Sequence, residues 1–436
     1  MFFASIFFTF KMGFVNIRLF RHAIRLTSGV LDKGKSKAGE ISHFKALTTA
    51  LSATVGLGNI AGVAIAISVG GPGAVFWMML MGFVGMSTKF TECSLALMFR
   101  EKRPDGQLMG GPMRYLQRGF QQINKPKLGK FLATFFAILC IGGSFGGGVA
   151  FQVNQSLNAV SMSFPFLENA QWAYALFLIV LVGFVIIGGI KRIAEVAGRV
   201  VPLMFVIYMI MSTIVLIAHY DRILPVISLI FQSAFNMESG IGGFFGVMVV
   251  GFQRAAFSSE VGLGSSPIAH AVAKVEHPVE EGVVALLEPF IDTIIICATT
   301  ALVILVTGVY DNPDFAHLVS GQKGAALTSQ ALGQVSNLFP FILSISVFLF
   351  AFSTIISWSY YGERCFSFVF NEKYALIYKI ILLIVIFLGA IAHSTVIMEF
   401  CDLMILSMAL PNLIGVLWLS GKVKEALNDY TTRFVK

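Results

Sequence analysis

Long runs of apolar residues, interrupted only by short polar stretches, fill most of the chain. Segments 173–189, 201–218 and 377–392 are nearly free of charge and approach the roughly 20 residues with which a helix crosses about 30 Å of hydrocarbon. Membrane β-strands would be about half as long and would alternate polar with apolar positions, which these runs do not. The pattern predicts eleven apolar helical segments, at 1–17, 46–69, 73–99, 131–159, 172–190, 196–219, 241–275, 279–308, 337–362, 374–395 and 399–420. The expected fold class is an all-α polytopic membrane protein, a single transmembrane domain over 1–436, with 100–130 as its largest wet loop. The opening run from Met1 to Phe10 has no basic residues ahead of it and no small-residue cleavage site, so it reads as a short first span rather than a removed leader.

Two segments depart from the pattern. In 46–69, Thr54-Val55-Gly56-Leu57-Gly58-Asn59 places two glycines and an amide near mid-span. In 241–275, Gly251-Phe252-Gln253-Arg254 and Phe257-Ser258-Ser259-Glu260-Val261-Gly262-Leu263-Gly264-Ser265 are too polar to face lipid. Both stretches must face protein or water. The tetrapeptide Val-Gly-Leu-Gly occurs in each, at 55–58 and 261–264. With 1–17 set aside as an extra helix, these are the first and sixth of ten spans, where two five-helix units, 46–219 and 241–420, would begin. A unit of five spans is odd, so its second copy enters the membrane from the opposite side, giving an inverted repeat.

Composition agrees with lipid as the solvent: 56% of the 436 residues are hydrophobic and 12% are charged, more apolar surface than one water-soluble core could hide. A net charge of +8 would suit nucleic acid, but the basic residues follow the span pattern instead. Arg18, Arg21, Arg25, Lys33, Lys35, Lys37 and Lys45 fall in the first connection, and Arg100, Lys102, Arg103, Arg114, Arg118, Lys125, Lys127 and Lys130 in the third. Lys191, Arg192, Lys274, Arg364, Lys373, Lys422, Lys424, Arg433 and Lys436 share their side, whereas the other side holds Arg222 and Lys323. This bias predicts a cell inner-membrane protein with its amino terminus outside and its carboxyl terminus in the cytoplasm. Nucleic acid drops out as a partner. The five cysteines, Cys93, Cys140, Cys297, Cys365 and Cys401, have no metal-knuckle or redox spacing and read as small buried hydrophobes.

Broken helices inside a bilayer imply a site. An unsatisfied amide or carbonyl there costs several kcal/mol, so unwinding persists only where something else takes those groups. Freed amides at the start of a half-helix suit a carboxylate, and freed carbonyls suit a hard cation such as sodium. Glycines alone more often serve close helix packing. Asn59 beside Gly56 and Gly58 tips the reading toward a ligand, because a buried amide needs partners and its oxygen suits a cation.

At these residues the sequence resembles the alanine or glycine:cation symporters, the sodium:alanine symporter family. The matching stretches are 50–63 (ALSATVGLGNIAGV), 70–78 (GGPGAVFWM), 110–113 (GGPM), 189–194 (GIKRIA), 264–270 (GSSPIAH) and 352–363 (FSTIISWSYYGE). Two departures stand out: the first segment is shorter than the family's, and Trp77 is followed by Met79 where the family has a second tryptophan. The resemblance implies a five-plus-five inverted-repeat, leucine-transporter-like fold with one extra helix, and inward movement of alanine or glycine with sodium as the coupling ion and no other cofactor. It implies substrate contacts from Leu57, Gly58, Asn59, Gln152, Phe257, Ser258, Thr354 and Trp358. For sodium it implies Ser52, Thr54, Val55, Asn59, Ser353 and Thr354.

Other polar groups have blander readings. Lys89 and Glu92, three apart on one helix, read as a self-neutralising pair. Arg254 and Glu260 flank the second break and are expected to pin it as a pair or to gate it. Glu288 and Asp292, one turn apart, are candidates for a proton site or for structural anchoring. Gln152 and Asn154 have interhelical glue as their alternative, and Trp358 has core packing. Gly142-Gly143-Ser144-Phe145-Gly146 matches the G-x-S-x-G pattern of hydrolases, but His219, His270 and His393 lie near expected helix ends and offer no evident base. A channel lined by helix breaks is the other rival.

Overall fold

The computed structural model describes residues 1–30, 39–102, 108–236 and 240–435; Lys33, Lys35, Lys37, Arg103 and Lys436 lie outside the described residues. The helices that matter for the site are α1 (Phe2–Lys11), α2 (Phe20–Thr27), α3 (His43–Thr54), α4 (Ala61–Gly70), α5 (Gly73–Met98), α6 (Pro112–Gln122), α7 (Pro126–Ser163) and α8 (Gln171–Ile186). They continue as α9 (Gly189–Ala218), α10 (Tyr220–Ala234), α11 (Gly240–Ser259), α12 (Pro278–Thr307), α13 (Gly324–Gly333), α14 (Phe339–Phe370), α15 (Ala375–Ile391) and α16 (Ser394–Phe434). Among the described residues, eight helices are long and apolar enough to cross a membrane. The only sheet among them is a two-stranded antiparallel pair that sets Glu101 opposite Met109 and Lys102 opposite Leu108.

Local chemistry explains where these helices start and stop. Proline occupies the first turn of α6, α7 and α12, where its missing amide costs nothing. Ser42 caps α3 by accepting the Lys45 amide, and Gly308 ends α12 in the left-handed conformation. Burial then sorts the helices. α5, α7 and α14 are largely enclosed, whereas α9, α11 and α15 turn about two-thirds of their apolar stretches outward, toward lipid. The site lies among the enclosed set.

Several boundaries differ from those the apolar runs suggest. Segment 1–17 ends as a helix at Lys11, because Gly13 and Phe14 take left-handed dihedrals and turn the chain. Ten residues rise about 15 Å, half of a span. Segment 46–69 is two half-helices, α3 and α4, separated by an unwound stretch at 55–60. Segment 241–275 is helical only to Ser259. Glu260, Gly262 and Gly264 have positive φ, and after one turn at Pro267–His270 the chain runs extended, with the Lys274 amide donating to Ile41 O and the Glu40 amide to Val272 O. The second break is thus followed by irregular backbone paired with the approach to α3, not by a second long half-helix. Segment 399–420 extends to 41 residues in α16, carrying Lys422, Lys424 and Arg433 on the helix. Four connections hold helices of their own, α2, α6, α10 and α13, so the stretch 100–130 expected as a wet loop carries a helix that buries Met113, Tyr115, Leu116 and Phe120. α13 seats on the start of α4: Gly324 abuts the Ala61 carbonyl, and the Thr328 hydroxyl donates to Ile60 O at 3.2 Å.

Candidate functional site

The first break frees backbone groups in a dry interior. The Gly56 amide is taken by Asn59 Oδ1 at 3.1 Å, and the Leu57 amide by Gln152 Oε1 of α7 at 3.0 Å. The Gly58 amide meets no acceptor among the described residues, and the Val55 and Gly58 carbonyls receive no backbone amide. Glycine is required here by close approach: a side chain at Gly56 would collide with the Thr354 hydroxyl and reach within 3.1 Å of Gln152 Oε1. At Gly58 a Cβ would stand 3.3 Å from the Phe257 ring and from Ser258 Cα. The two breaks therefore face each other.

Asn59 is the hub between them. Fully buried, it donates from Nδ2 to the Asp292 carboxylate, to Asp292 O at 3.1 Å and toward Ser258 Oγ at 3.5 Å. Asp292 on α12 also accepts from the Ser258 hydroxyl at 2.6 Å and the Thr293 hydroxyl at 3.0 Å. No Lys, Arg or His among the described residues lies within ion-pair distance of that carboxylate. An enclosed carboxylate with three neutral donors and no ion-pair partner among the described residues is a site feature, since such a charge is expensive unless a cation or proton joins it.

Of the positions expected from sequence, Leu57, Gly58, Asn59, Gln152, Phe257, Ser258 and Thr354 converge here. Trp358, one turn beyond Thr354 on α14, packs against Gly148 and edge-on to Tyr361. Among the expected sodium ligands, Ser52 and Thr354 meet directly: Thr354 Oγ1 donates to Ser52 O at 3.0 Å, and Ser52 Oγ to Ser353 O at 2.7 Å. These bonds tie the first half-helix to α14. The Thr54 and Ser353 hydroxyls bond their own helices, at Ala50 O and Phe350 O.

Sequence reasoning missed how α7 and α12 are shaped around the site. Each contains a π-helical turn, at Ser144–Ala150 and Phe290–Cys297, the kind of local widening that often marks function. The first accounts for the G-x-S-x-G match. Its glycines admit Trp358, Ile405 and Cys401 side chains, and Ser144 bonds the Tyr378 hydroxyl at 2.6 Å and Trp358 O at 3.1 Å. A Cβ at Gly148 would lie 2.5 Å from Trp358 Cβ. Gly148→Ala is expected to lower stability by about 1–3 kcal/mol, the usual effect of overpacking, read as a lower thermal midpoint in detergent.

The expected ion pairs are redrawn. Lys89 does not neutralise Glu92. Its Nζ lies 3.0 Å from Glu288 Oε2 and 2.5 Å from Ser266 Oγ, while Glu92 accepts from Asn412. Arg254 pairs with Asp402 on α16 rather than Glu260, which accepts from Ser265. Glu288 and Asp292 separate into two environments. Glu288 joins His270, whose other nitrogen lies 2.5 Å from Glu281 Oε2, and Glu281 Oε1 lies 2.5 Å from His43 Nδ1. That chain of buried ions runs from the start of α3 to α5, and His270 belongs to it rather than to a catalytic serine.

Facing helix breaks inside a polytopic bundle define a secondary transporter built to bind its cargo at mid-membrane. The chain belongs to the sodium:alanine symporter family, whose model matches residues 1–436. It is 38% identical to the sodium/alanine symporter AgcS of Methanococcus maripaludis, over 96% of this chain and 90% of that protein. It is 35% identical to two Bacillus subtilis proteins: the "Probable sodium/glutamine symporter GlnT", over 98% of this chain and 86% of that protein, and the amino-acid carrier protein AlsT, over 98% and 87%. Among solved structures, it matches MhsT in complex with L-phenylalanine with a TM-score of 0.61 at 12% identity, covering 92% of this chain and 97% of that one. The fold is therefore leucine-transporter-like, as the sequence led us to expect. The protein is a multi-pass membrane transporter, and its relatives are carriers rather than enzymes.

Proposed function

We propose that the protein carries a small neutral amino acid, alanine or glycine, into the cell together with sodium, by alternating access around the facing breaks. The observation that carries this reading is the pair of amides at the first break. Among the described residues the Leu57 amide is held only by the neutral oxygen of Gln152, and the Gly58 amide by none. A substrate carboxylate displaces the Gln152 oxygen, takes both amides and leaves its ammonium group toward the carbonyls of the opposite stretch. The closeness of Phe257 to Gly58 and of Thr354 to Gly56 favours a short side chain, with Trp358 and Gln152 setting its limit. Sodium is bound by the Ser52 and Val55 carbonyls with Thr354, and by Asn59 beside Asp292. Ordering the break in this way makes the amino acid bind better, and the coupling is reciprocal. We place the protein in the cell inner membrane, amino terminus outside and carboxyl terminus in the cytoplasm, on the bias of its basic residues.

Purified protein in proteoliposomes is expected to show saturable uptake of labelled alanine or glycine that requires an inward sodium gradient. Flux indifferent to that gradient would instead support a channel. Asn59→Ala removes the link between both breaks and Asp292, and uptake is expected to vanish while the protein still inserts and remains monodisperse. Normal transport by that variant would refute the site.

A further inference from the structure

A groove of about 460 Å³ opens on the bundle's outer wall and reaches inward to Val55, at the edge of the transport site. α2 forms its rim with Ile24, Thr27 and Ser28. α3 forms its floor from Phe44 through Leu47, Thr48 and Leu51 to Val55, and Pro202 and Phe205 of α9 with Ile291 of α12 close the far wall. Its lining is almost entirely apolar. Its three hydroxyl side chains are spent on their own helix or turn, Thr27 on Ala23 O at 2.9 Å, Ser28 on Arg25 O at 3.2 Å and Thr48 on Phe44 O at 2.9 Å, so the groove offers water few partners. From Phe44 to Val55 the helix rises about 16 Å, which is about half of the ~30 Å hydrocarbon core, the depth of one leaflet.

Exposed basic residues adjoin the outer lining in sequence. Arg25 follows Ile24 and Lys45 follows Phe44; both are exposed and neither is in an ion pair with a described residue. Arg21 lies one turn earlier on α2, also exposed. α2 itself is fixed in place: His22 bonds the Tyr430 hydroxyl at 2.8 Å, and Phe20 packs edge-on against Phe290. A pre-formed slot one leaflet deep, dry inside and with exposed basic residues next to its outer lining, fits an acyl chain below an anionic headgroup.

We propose that this groove is a binding site for one anionic phospholipid of the leaflet that α2 faces, its headgroup held by Arg25 and Lys45 and one acyl chain running down to Val55. Val55 is also the first unwound residue of the transport site. The lipid therefore supports the end of α3 from the lipid side, at the point where the helix must stop.

Native mass spectrometry of the full-length protein, exchanged into detergent with equal phosphatidylglycerol and phosphatidylcholine, tests the site without any transport assay. The wild type is expected to retain one phosphatidylglycerol in preference to phosphatidylcholine. Arg25→Gln with Lys45→Gln should cut phosphatidylglycerol retention roughly 30-fold, as expected for two basic residues near an anionic surface, and leave phosphatidylcholine unchanged. Val201→Trp, which fills the groove from α9, should lower retention of both; Thr27→Phe does the same from α2 and serves if the first variant fails to fold. Equal retention of the two lipids by wild type and the Gln pair would overturn the headgroup assignment. Retention untouched by either filling variant would overturn the groove.

Discussion

Asp292→Asn is expected to abolish sodium-driven accumulation while leaving the protein folded and inserted. The side chain keeps its shape in this variant, loses its charge and exchanges one acceptor oxygen for an amide donor. In the native site the carboxylate is completely buried and receives Asn59, Ser258 and Thr293, none of them charged. Three neutral donors reduce the cost of desolvating an anion, but they do not cancel its charge. Something positive has to visit, and the mobile candidates at the site are the coupling ion, a proton and the ammonium group of the substrate. A charged ligand contributes on the order of 2–3 kcal/mol more than a neutral one, so sodium affinity should fall roughly 30- to 150-fold. Sodium-dependent binding of labelled substrate, measured without a gradient, reads that affinity directly. Unchanged sodium dependence in the variant would remove Asp292 from the ion site. Uptake that follows a proton gradient and ignores sodium would instead assign the balancing charge to a proton on this carboxylate.

The contrast between Asp292 and its neighbour Glu288 shows where sequence reading stops. Periodicity and charge could reveal the spans, and an amide between two glycines in an apolar run could reveal the first break, because those are local violations of what lipid tolerates. The facing of Gly58 on Phe257 was legible only through family resemblance, and that of Asn59 on Asp292 was not legible at all, since each joins residues about 200 or more positions apart. Spacing also misled. Lys89 and Glu92 sit one turn apart and would pair on an exposed helix, yet in a packed bundle each is claimed by a different neighbour. The same holds for Arg254 and Glu260, which are separated by a left-handed turn at Glu260 that swings the carboxylate toward Ser265. The π turns in α7 and α12 left no periodic signature, because glycines and β-branched residues fit both helical forms.

The strongest effect on folding is expected from His270→Ala. His270 is fully buried, and its two ring nitrogens bridge Glu281 and Glu288, which in turn hold His43 and Lys89. The chain joins four pieces of structure: the start of α3, the turn after the second break, α12 and α5. Two acids, a lysine and a bridging imidazolium balance in charge, and their mutual attraction is what makes their burial tolerable. Removing the ring strips a donor from each acid at once and leaves two carboxylates facing an empty apolar space. Breaking one buried pair costs about 3–5 kcal/mol, and this change breaks two, comparable to the whole stability of a typical fold. Folded yield after detergent extraction, read by size-exclusion chromatography, should fall to near zero. Adding Glu281→Gln to His270→Ala deletes one of the stranded charges and should recover part of the folded protein, whereas adding Lys89→Met should make matters worse by unbalancing Glu288. A His270→Ala protein with wild-type yield and thermal midpoint would show that these ions are individually solvated, and the bridging role would have to be given up.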